Sequence, residues 1–265
     1  MGNILHEILE NRKKTLEKEI LSIGNRSTSF KNQSRKNLSQ TIRTTNRISI
    51  ISEIKPASPS LGEIRTNINV KEVAEEMENA GVDGLSVLTE PSYFHGSYEN
   101  LQLAVESTSL PCLMKDFVFD MRQFQIAKQI GATNILLINS LGNMEALCEY
   151  AYQFEIEPLI EIHEQDEIED LVYLNQIGFK TKLIGVNNRD LRSFKIDLNN
   201  SKRLIPQIKE RIGSNITVIS ESGISSKQDI DILREFKADG FLIGSSIMLA
   251  NKLKEKILEL RGLTC

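Results

Sequence analysis

The feature that most constrains the fold is a regular alternation of short apolar runs with stretches of helical spacing. Eight runs are candidate strands, near residues 48–54, 84–89, 111–117, 134–139, 157–163, 182–187, 217–221 and 240–244. Between them, apolar residues recur at the spacing of a helix with one buried face. A strict strand-then-helix order requires a parallel sheet with helices outside it. Eight such units predict a (β/α)8 barrel, which commonly takes about 250 residues.

Local start and stop signals support these helices. Asn69, Asp120 and Ser226 stand at helix starts, each with a polar residue three positions later, as helix caps require. Glycines follow four helical stretches just before the next strand, at Gly81, Gly131, Gly178 and Gly213.

A doubly wound open sheet is the structural alternative to the barrel. The first strand runs into Glu-Ile-Lys-Pro-Ala-Ser-Pro-Ser (53–60), and it lacks the glycine-rich turn of a dinucleotide fold, which favours the barrel. Residues 3–22 predict an additional amphipathic helix that packs on the barrel through Ile4, Ile8, Leu16 and Ile20. We therefore expect a single domain over 1–265, with an N-terminal helix and loop extension (1–47) and the barrel (48–265).

Composition and charge narrow the function classes. A net charge of -4 argues against general attraction to nucleic acid. The apolar run 135–138 is far shorter than the ~20 residues of a membrane-spanning helix, and the first residues lack an export or lipidation pattern. Three scattered cysteines are typical of a reducing compartment. We expect a cytoplasmic protein that contacts neither nucleic acid nor membrane and is a monomer with at most weak self-association.

One segment departs from this acidic balance. Residues 20–52 hold no acidic side chain and six basic ones, Arg26, Lys31, Arg35, Lys36, Arg43 and Arg47. Two interpretations are open: a solvated collar, or a basic rim that attracts an anionic ligand.

Charged side chains occur at the ends of several predicted strands, at alternate positions that all face the same side of the sheet. These ends carry Glu53 and Lys55, Lys115, Glu161 and His163, Asn187 and Arg189, and Glu221. Inward-facing side chains at the carboxyl ends of barrel strands form the active site of this fold. One such residue would be an ordinary solvated strand end, but five coincidences predict a catalytic site.

Two glycine turns indicate the ligand. Glu-Ser-Gly-Ile-Ser-Ser (221–226) follows the seventh strand, and Gly-Ser-Ser (244–246) follows the eighth. Backbone N–H groups at such helix starts bind phosphate, and barrels commonly hold phosphate at this pair of loops. Each turn alone is more often a plain helix cap, but together they predict a small phosphorylated anion, with Lys55, Lys115 and Arg189 as its cations.

The chemistry expected of these groups is proton transfer. Lysines that crowd one another and are partly desolvated lose basicity, which makes them general acids near neutral pH, while Glu53 and Glu161 receive protons. His6, His95 and His163 have no metal-ligand spacing, so we expect no metal and no cofactor. His163 is expected to have a structural or supporting role.

Six motifs resemble the indole-3-glycerol-phosphate synthase family, in order over residues 48–250. They are Ile51–Ser60, Leu88–Ser97, Leu113–Phe117, Leu159–His163, Gly185–Leu191 and Ser220–Ile224, and Ser29-Phe30-Lys31 with the first helix resembles the family's opening segment. The resemblance implies a carbon-carbon lyase of tryptophan biosynthesis. Its reaction closes the indole ring of 1-(2-carboxyphenylamino)-1-deoxyribulose 5-phosphate with loss of CO2 and water.

The resemblance also implies roles for individual residues. Lys115 is the general acid at the substrate carbonyl, and Lys55 and Glu161 serve the other proton transfers. Glu53, Asn187 and Glu221 orient these groups, Phe94 and Phe117 flank the anthranilate ring, and Arg189 organises the charges. Substrate and phosphate contacts fall on Ser58, Ser222, Gly223, Gly244 and Ser245. One departure is Pro56-Ala57, where the family often has a basic residue, which removes a cationic contact and affects affinity more than activity.

Three rival functions are alternatives to this one. Phosphoribosylanthranilate isomerase would end the first strand in Cys and the sixth in Asp, whereas this chain has Lys55 and Asn187. A Schiff-base aldolase would use a buried lysine as nucleophile. A non-enzymatic scaffold would bind a partner through residues 26–47.

Overall fold

The computed structural model describes residues 4–23, 35–65, 68–190 and 193–263. Eight parallel strands form a closed barrel, each paired with the next along the chain and the first paired with the last. In chain order they are Ser49–Ile54, Gly84–Leu88, Cys112–Lys115, Asn134–Ile138, Glu157–Ile162, Leu183–Asn187, Thr217–Glu221 and Gly240–Ile243. The predicted barrel and all eight predicted strands are confirmed, and the open doubly wound sheet is excluded.

Helices alternate with the strands and form the outer layer. They are α1 (Ile4–Ile23), α2 (Leu38–Thr44), α3 (Val70–Asn79), α4 (Tyr98–Ser107), α5 (Met121–Ile130), α6 (Met144–Gln153), α7 (Glu167–Gln176), α8 (Asn199–Ile212), α9 (Lys227–Glu235), α10 (Ser245–Met248) and α11 (Leu253–Arg261). A 3-10 turn spans Asn139–Leu141, and a two-stranded hairpin pairs Ala57–Ser58 with Gly62–Glu63.

The predicted capping residues act as expected. The side chains of Asn69, Asp120 and Ser226 accept backbone hydrogen bonds in the first turns of α3, α5 and α9. Gly131 ends α5 in the left-handed conformation, at a φ of 92°, where a residue with a Cβ would be strained. Polar caps and a permissive residue therefore fix where each helix begins and ends.

The apolar core has two layers. The larger layer lies between the sheet and the surrounding helices. The smaller one fills the barrel interior and consists mainly of inward-facing residues from alternate strand positions, such as Ile51, Leu113, Leu159 and Ile219. This interior layer lies beneath the charged side chains at the carboxyl ends of the strands.

Helix α2 closes the opposite end of the barrel. Leu38 and Ile42 are buried there, and the backbone N–H of Leu38 donates to Asn134 Oδ1 over 3.0 Å. A Cβ at Gly84 would collide with the Leu38 side chain. The extension thus supplies a floor that the barrel strands do not supply themselves.

Helix α1 lies across the other end, where the strands finish. Ile8 and Leu16 are buried, as the predicted amphipathic face requires. Arg12 is 0% exposed, and its Nε and Nη2 atoms donate to the two carboxylate oxygens of Asp116, each over 2.8 Å. A buried, two-pronged ion pair therefore fixes α1 to the end of the third strand.

Within the described residues, basic side chains of the segment 20–52 contact the body of the protein. Arg35 donates to the carbonyl oxygens of Val105 and Leu110, and Arg47 pairs with Asp83. These side chains are engaged by the protein away from the barrel mouth, which does not support the anion-attracting rim. Arg26, Lys31 and the Ser29-Phe30-Lys31 motif lie outside the described residues. Among the described helices, none is long and apolar enough to cross a membrane.

Candidate active site

A cavity of about 420 Å³ opens at the carboxyl ends of the strands. Every residue predicted for the site lines it: Glu53, Lys55, Ser58, Phe94, Lys115, Phe117, Glu161, Asn187, Arg189, Glu221, Ser222, Gly223, Gly244 and Ser245. Side chains up to 192 positions apart in the sequence, Glu53 and Ser245, therefore meet in one place, because parallel strands present their carboxyl ends at the same rim.

Lys115 occupies the centre of a carboxylate cluster. Its Nζ atom lies 2.9 Å from Glu221 Oε2 and 3.3 Å from Glu161 Oε2. The side chains of Glu161 and Glu221 are almost wholly buried, while Lys115 keeps a small exposed fraction toward the cavity. A charge-assisted hydrogen-bond network thus aims one ammonium group at the space that a substrate would occupy.

The surroundings of Lys115 correct one sequence-based expectation. Burial alone would lower the pKa of Lys115, but the Glu221 and Glu161 carboxylates outweigh it and raise that pKa above the ordinary lysine value. The expectation that crowded lysines lose basicity is therefore wrong for Lys115. Its near neighbours within the network are acids, so the ammonium form is stabilised and the group is a proton donor.

The two glutamates beside Lys115 have opposite protonation tendencies. Burial, opposed by Lys115 and reinforced by the Glu161 charge, raises the pKa of Glu221 to about 7. Burial acts in the same sense on Glu161, but the Lys115 ammonium and the His163 side chain outweigh it and lower the pKa of Glu161. Near neutral pH the site therefore holds an ionised Glu161 beside a Glu221 that exchanges a proton readily.

A second lysine–carboxylate pair lies on the first strand. Lys55 Nζ is 2.8 Å from Glu53 Oε1. Burial raises the pKa of Glu53, but Lys55 and Lys115 more than offset it, so that pKa lies below the ordinary value. A Cβ at Gly244 would approach Glu53 Oε1 to 2.5 Å, which shows how closely the eighth strand packs against this pair.

Glycine also makes room for Glu221. A Cβ on Gly185 would collide with Glu221 Oε1, so the sixth strand must lack a side chain at that position. The sequence parity put Gly185 on the inward face but gave it no role. Its role depends on a neighbour 36 positions away, which no local pattern reveals.

One wall of the cavity is apolar. The rings of Phe94 and Phe117 lie 6.2 Å apart at a tilt of 43°, and Ile4, Leu5 and Ile8 of α1 complete the wall. This surface suits a flat aromatic group.

Two buried carboxylates that the sequence did not single out position those phenylalanines. Glu90 accepts hydrogen bonds from the backbone N–H groups of Ser92, Tyr93 and Phe94. Asp116 accepts from the N–H of Phe117 over 2.8 Å. Both residues were missed because their partners are backbone groups and a distant helix.

The opposite wall consists of the two glycine turns. Ser222 and Gly223 both have positive φ, 68° and 83°, which turns the chain sharply after the seventh strand. Asn188 holds this turn, since its side-chain amide donates to the carbonyl oxygens of Glu221 and Ser222. A non-glycine residue in this strained conformation is common at functional sites.

Arg189 and the hairpin complete the rim. Arg189 Nη1 donates to Ser60 Oγ over 3.1 Å, linking the loop after the sixth strand to the hairpin after the first. Pro56 precedes that hairpin, and its carbonyl oxygen accepts from the N–H groups of Ile64 and Arg65. The cavity therefore has charged, aromatic and glycine-lined sectors under one rim.

The described residues contain no group of three or more His, Cys, Asp or Glu side chains that could hold a metal ion. The arrangement can donate a proton from Lys115, accept one at Glu161, and hold an anion and an aromatic ring on opposite walls.

Comparisons with known proteins agree with this geometry. The family model "Indole-3-glycerol phosphate synthase" matches residues 5–260. A protein of that name from Methanocaldococcus jannaschii is 40% identical over 97% of this chain and 98% of its own length. A protein of the same name from Aquifex aeolicus is 40% identical over 80% of this chain and 81% of its own length. Another from Bacillus cereus is 36% identical over 96% of this chain and 96% of its own length.

A solved structure, thiamine phosphate pyrophosphorylase from Pyrococcus furiosus, resembles the fold. It has a TM-score of 0.60 and 16% identity, and the match covers 85% of this chain and 96% of that one. At this identity the likeness extends to the barrel alone.

Proposed function

The chain belongs to the indole-3-glycerol phosphate synthase family, and from that premise we propose that its cavity closes the indole ring of 1-(2-carboxyphenylamino)-1-deoxyribulose 5-phosphate. The reaction releases CO2 and water and is that of a carboxy-lyase in tryptophan biosynthesis. The observation that carries the proposal is the position of Lys115 Nζ between Glu161 and Glu221, at the base of a cavity with an aromatic wall facing two glycine turns.

In the proposed first step Lys115 donates its proton to the carbonyl oxygen of the substrate's deoxyribulose chain. The carbonyl carbon then becomes electrophilic enough for attack by the ring carbon that bears the carboxylate. The new C–C bond forms, the carboxylate leaves as CO2, and the aromatic ring is restored. Two flanking carboxylates keep Lys115 charged until the carbonyl oxygen arrives, so the proton goes to the group that develops negative charge.

The later proton transfers are assigned to Lys55 and Glu161. The hydroxyl formed in the first step must leave as water. The leaving hydroxyl takes one proton from an acid, and the substrate gives one proton to a base. Glu161 suits the base because its pKa is lowered, and Lys55, held by Glu53, suits a second acid. Asn187 orients Glu161 through a hydrogen bond, and Glu221 orients Lys115 in the same way.

Substrate binding is assigned to the two walls. Phe94 and Phe117 flank the anthranilate ring, and Gly223, Gly244 and Ser245 contact the phosphate. Ser58, Arg189 and Ser222 contact other parts of the substrate. Backbone N–H groups at glycine turns bind phosphate without a side chain in the way. A Schiff-base aldolase is less well supported, because it needs a neutral amine and Lys115 is stabilised as the ammonium.

We further propose that the whole chain acts as one domain and as a monomer in the cytoplasm. The two described cysteines, Cys112 and Cys148, are free and buried, which is compatible with a reducing compartment.

The test is a fluorescence assay with the purified protein and the anilino-deoxyribulose phosphate, with and without a metal chelator. We expect an indole product that requires enzyme and is insensitive to chelator. A protein that binds this compound without releasing CO2 would refute the proposed reaction, and a covalent adduct trapped by borohydride would favour the aldolase.

A further inference from the structure

His163 contacts the proposed base from the side away from Lys115. Its Nε2 atom lies 3.3 Å from Glu161 Oε1, whereas Lys115 contacts the other oxygen, Oε2. The His163 side chain is only 9% exposed, and within the described part of the chain neither ring nitrogen forms a hydrogen bond, so Nε2 contacts Glu161 Oε1 at ion-pair distance. The ring is therefore buried with Glu161 as the acceptor in its reach.

The backbone of His163 is fixed from two directions. Its N–H donates to Glu167 Oε2 in the first turn of α7 over 2.6 Å, and its carbonyl oxygen accepts from Asn200 Nδ2 of α8 over 2.9 Å. The same Asn200 amide also donates to the carbonyl oxygen of Asn187. One side chain thus holds His163 and Asn187, two of the residues whose side chains contact Glu161, which is more support than an incidental contact needs.

Charges around the ring favour its protonated form. Burial lowers the pKa of His163, but Glu161, Glu167 and Glu221 outweigh burial and raise it. The charged groups that face it are Glu161 on its own strand, Glu164 and Glu167 at α7, and Glu221 and Lys115 on other strands. Around the adjoining cleft they are Asp166, Asp170, Asp190 and Asp197, with the cations Arg189 and Lys195. This surface is strongly acidic, so a cation is stabilised there.

We propose that His163 is a positioning residue for the proposed ring closure: as an imidazolium it holds Oε1 of Glu161, so that Glu161 stays ionised and keeps Oε2 toward Lys115. This inference rests on the proposed function, since it assigns Glu161 the work of a base. Without the imidazolium, Glu161 would take up a proton at higher pH and would lose the contact that fixes Oε1, although Lys115 and Asn187 would still contact the carboxylate.

The kinetic test compares His163→Gln, which keeps a donor but no charge, with His163→Leu, which keeps neither. The matched control is His6→Gln, at an exposed histidine of α1. For His163→Gln we expect the acid limb of the kcat profile to move up by about one pH unit, the lower end of what a nearby opposite charge gives, with KM within about twofold. His163→Leu should show the same shift and, in addition, at least a ~10-fold lower kcat at every pH, because the carboxylate is no longer oriented.

A second measurement does not depend on activity. The chain has three histidines, so their ring signals can be titrated by NMR and assigned with His163→Gln and His6→Gln. We expect the midpoint of His163 to lie above the ordinary histidine value, and Glu161→Gln to lower it by about one unit.

The outcomes are distinguishable. An inactive wild-type enzyme would refute the proposed function, while the NMR titration would still decide whether His163 is charged against Glu161. An active wild type with an unshifted acid limb in His163→Gln, or a His163 midpoint unaffected by Glu161→Gln, would overturn the positioning role.

Discussion

Replacing Arg12 by methionine should destabilise the protein severely, although Arg12 lies in a helix outside the barrel. The side chain is 0% exposed, and its guanidinium contacts Asp116, Tyr98, Thr15 and Glu19 over 2.6–3.0 Å. Methionine fills much of the volume but leaves the buried Asp116 carboxylate without its cation. Breaking a buried pair in this way costs about 3–5 kcal/mol.

For a chain of this size that free energy corresponds to a fall in Tm of roughly 6–20 °C, at about 2–4 °C per kcal/mol. Urea unfolding followed by circular dichroism measures the global cost, and hydrogen exchange of the α1 amides detects helix α1 if it separates first.

The matched control is Arg122→Met. Arg122 also joins α1 to the barrel, through Glu17 and Asp120 over 2.6 and 2.7 Å, but its side chain is 39% exposed. Because water replaces most of that interaction, we expect a loss of less than about 1 kcal/mol. A double variant, Arg12→Met with Asp116→Asn, should recover part of the loss, since the buried charge of Asp116 is then removed. Equal effects of Arg12→Met and Arg122→Met would refute the reasoning from burial.

Three further predictions concern the site. Lys115→Met should lower kcat by at least ~100-fold with a modest change in KM, because the proton of Lys115 is needed in the transition state. Turnover retained in steady-state assays would show that Lys115 is not the general acid. Gly185→Ala should lower kcat/KM at least ~10-fold by displacing Glu221, whereas Gly240→Ala, where the nearest atoms are 3.3 Å away, should have a smaller effect. Glu221 is stabilised in its neutral form, since its folded pKa of about 7 exceeds the ordinary 4.5. Its contribution to stability is therefore complete below pH ~4.5 and is lost as the pH rises through about 7. Between pH 5 and pH 7.5, Glu221→Gln should therefore gain stability relative to wild type in urea unfolding. A difference in unfolding free energy between the two proteins that stays constant with pH would contradict the shift.

The barrel was predictable because its signals are local. Each strand is a short apolar run, and caps such as Asp120 and Ser226 mark helix starts within four residues of their partners. The inward parity of Glu53, Lys115 and Glu161 followed from the alternation of side chains along a strand. The sequence therefore predicted which side chains line the cavity.

What the sequence could not provide depends on neighbours that only the closed barrel brings together. The Arg12–Asp116 pair spans 104 positions, and neither residue belongs to a pattern that predicts the other. The predicted direction of the pKa shift at Lys115 was wrong. The sequence placed Lys55 and Lys115 on inward-facing strand positions and so suggested that they are neighbours, whereas the groups nearest to Lys115 in space are carboxylates. The space that Gly185 leaves for Glu221 is a property of two adjacent strands and not of either alone.

Pairing of the first strand with the eighth has a consequence for biosynthesis of the chain. Ser49 aligns with Gly240, so the ring of hydrogen bonds is completed only after about nine-tenths of the polypeptide has left the ribosome. Until then both outer strands expose unpaired N–H and C=O groups, which invite association between nascent chains. Contacts this distant in sequence also slow folding. Truncations that end before Gly240 should accumulate in inclusion bodies, while the full chain, in which the barrel is closed, should not.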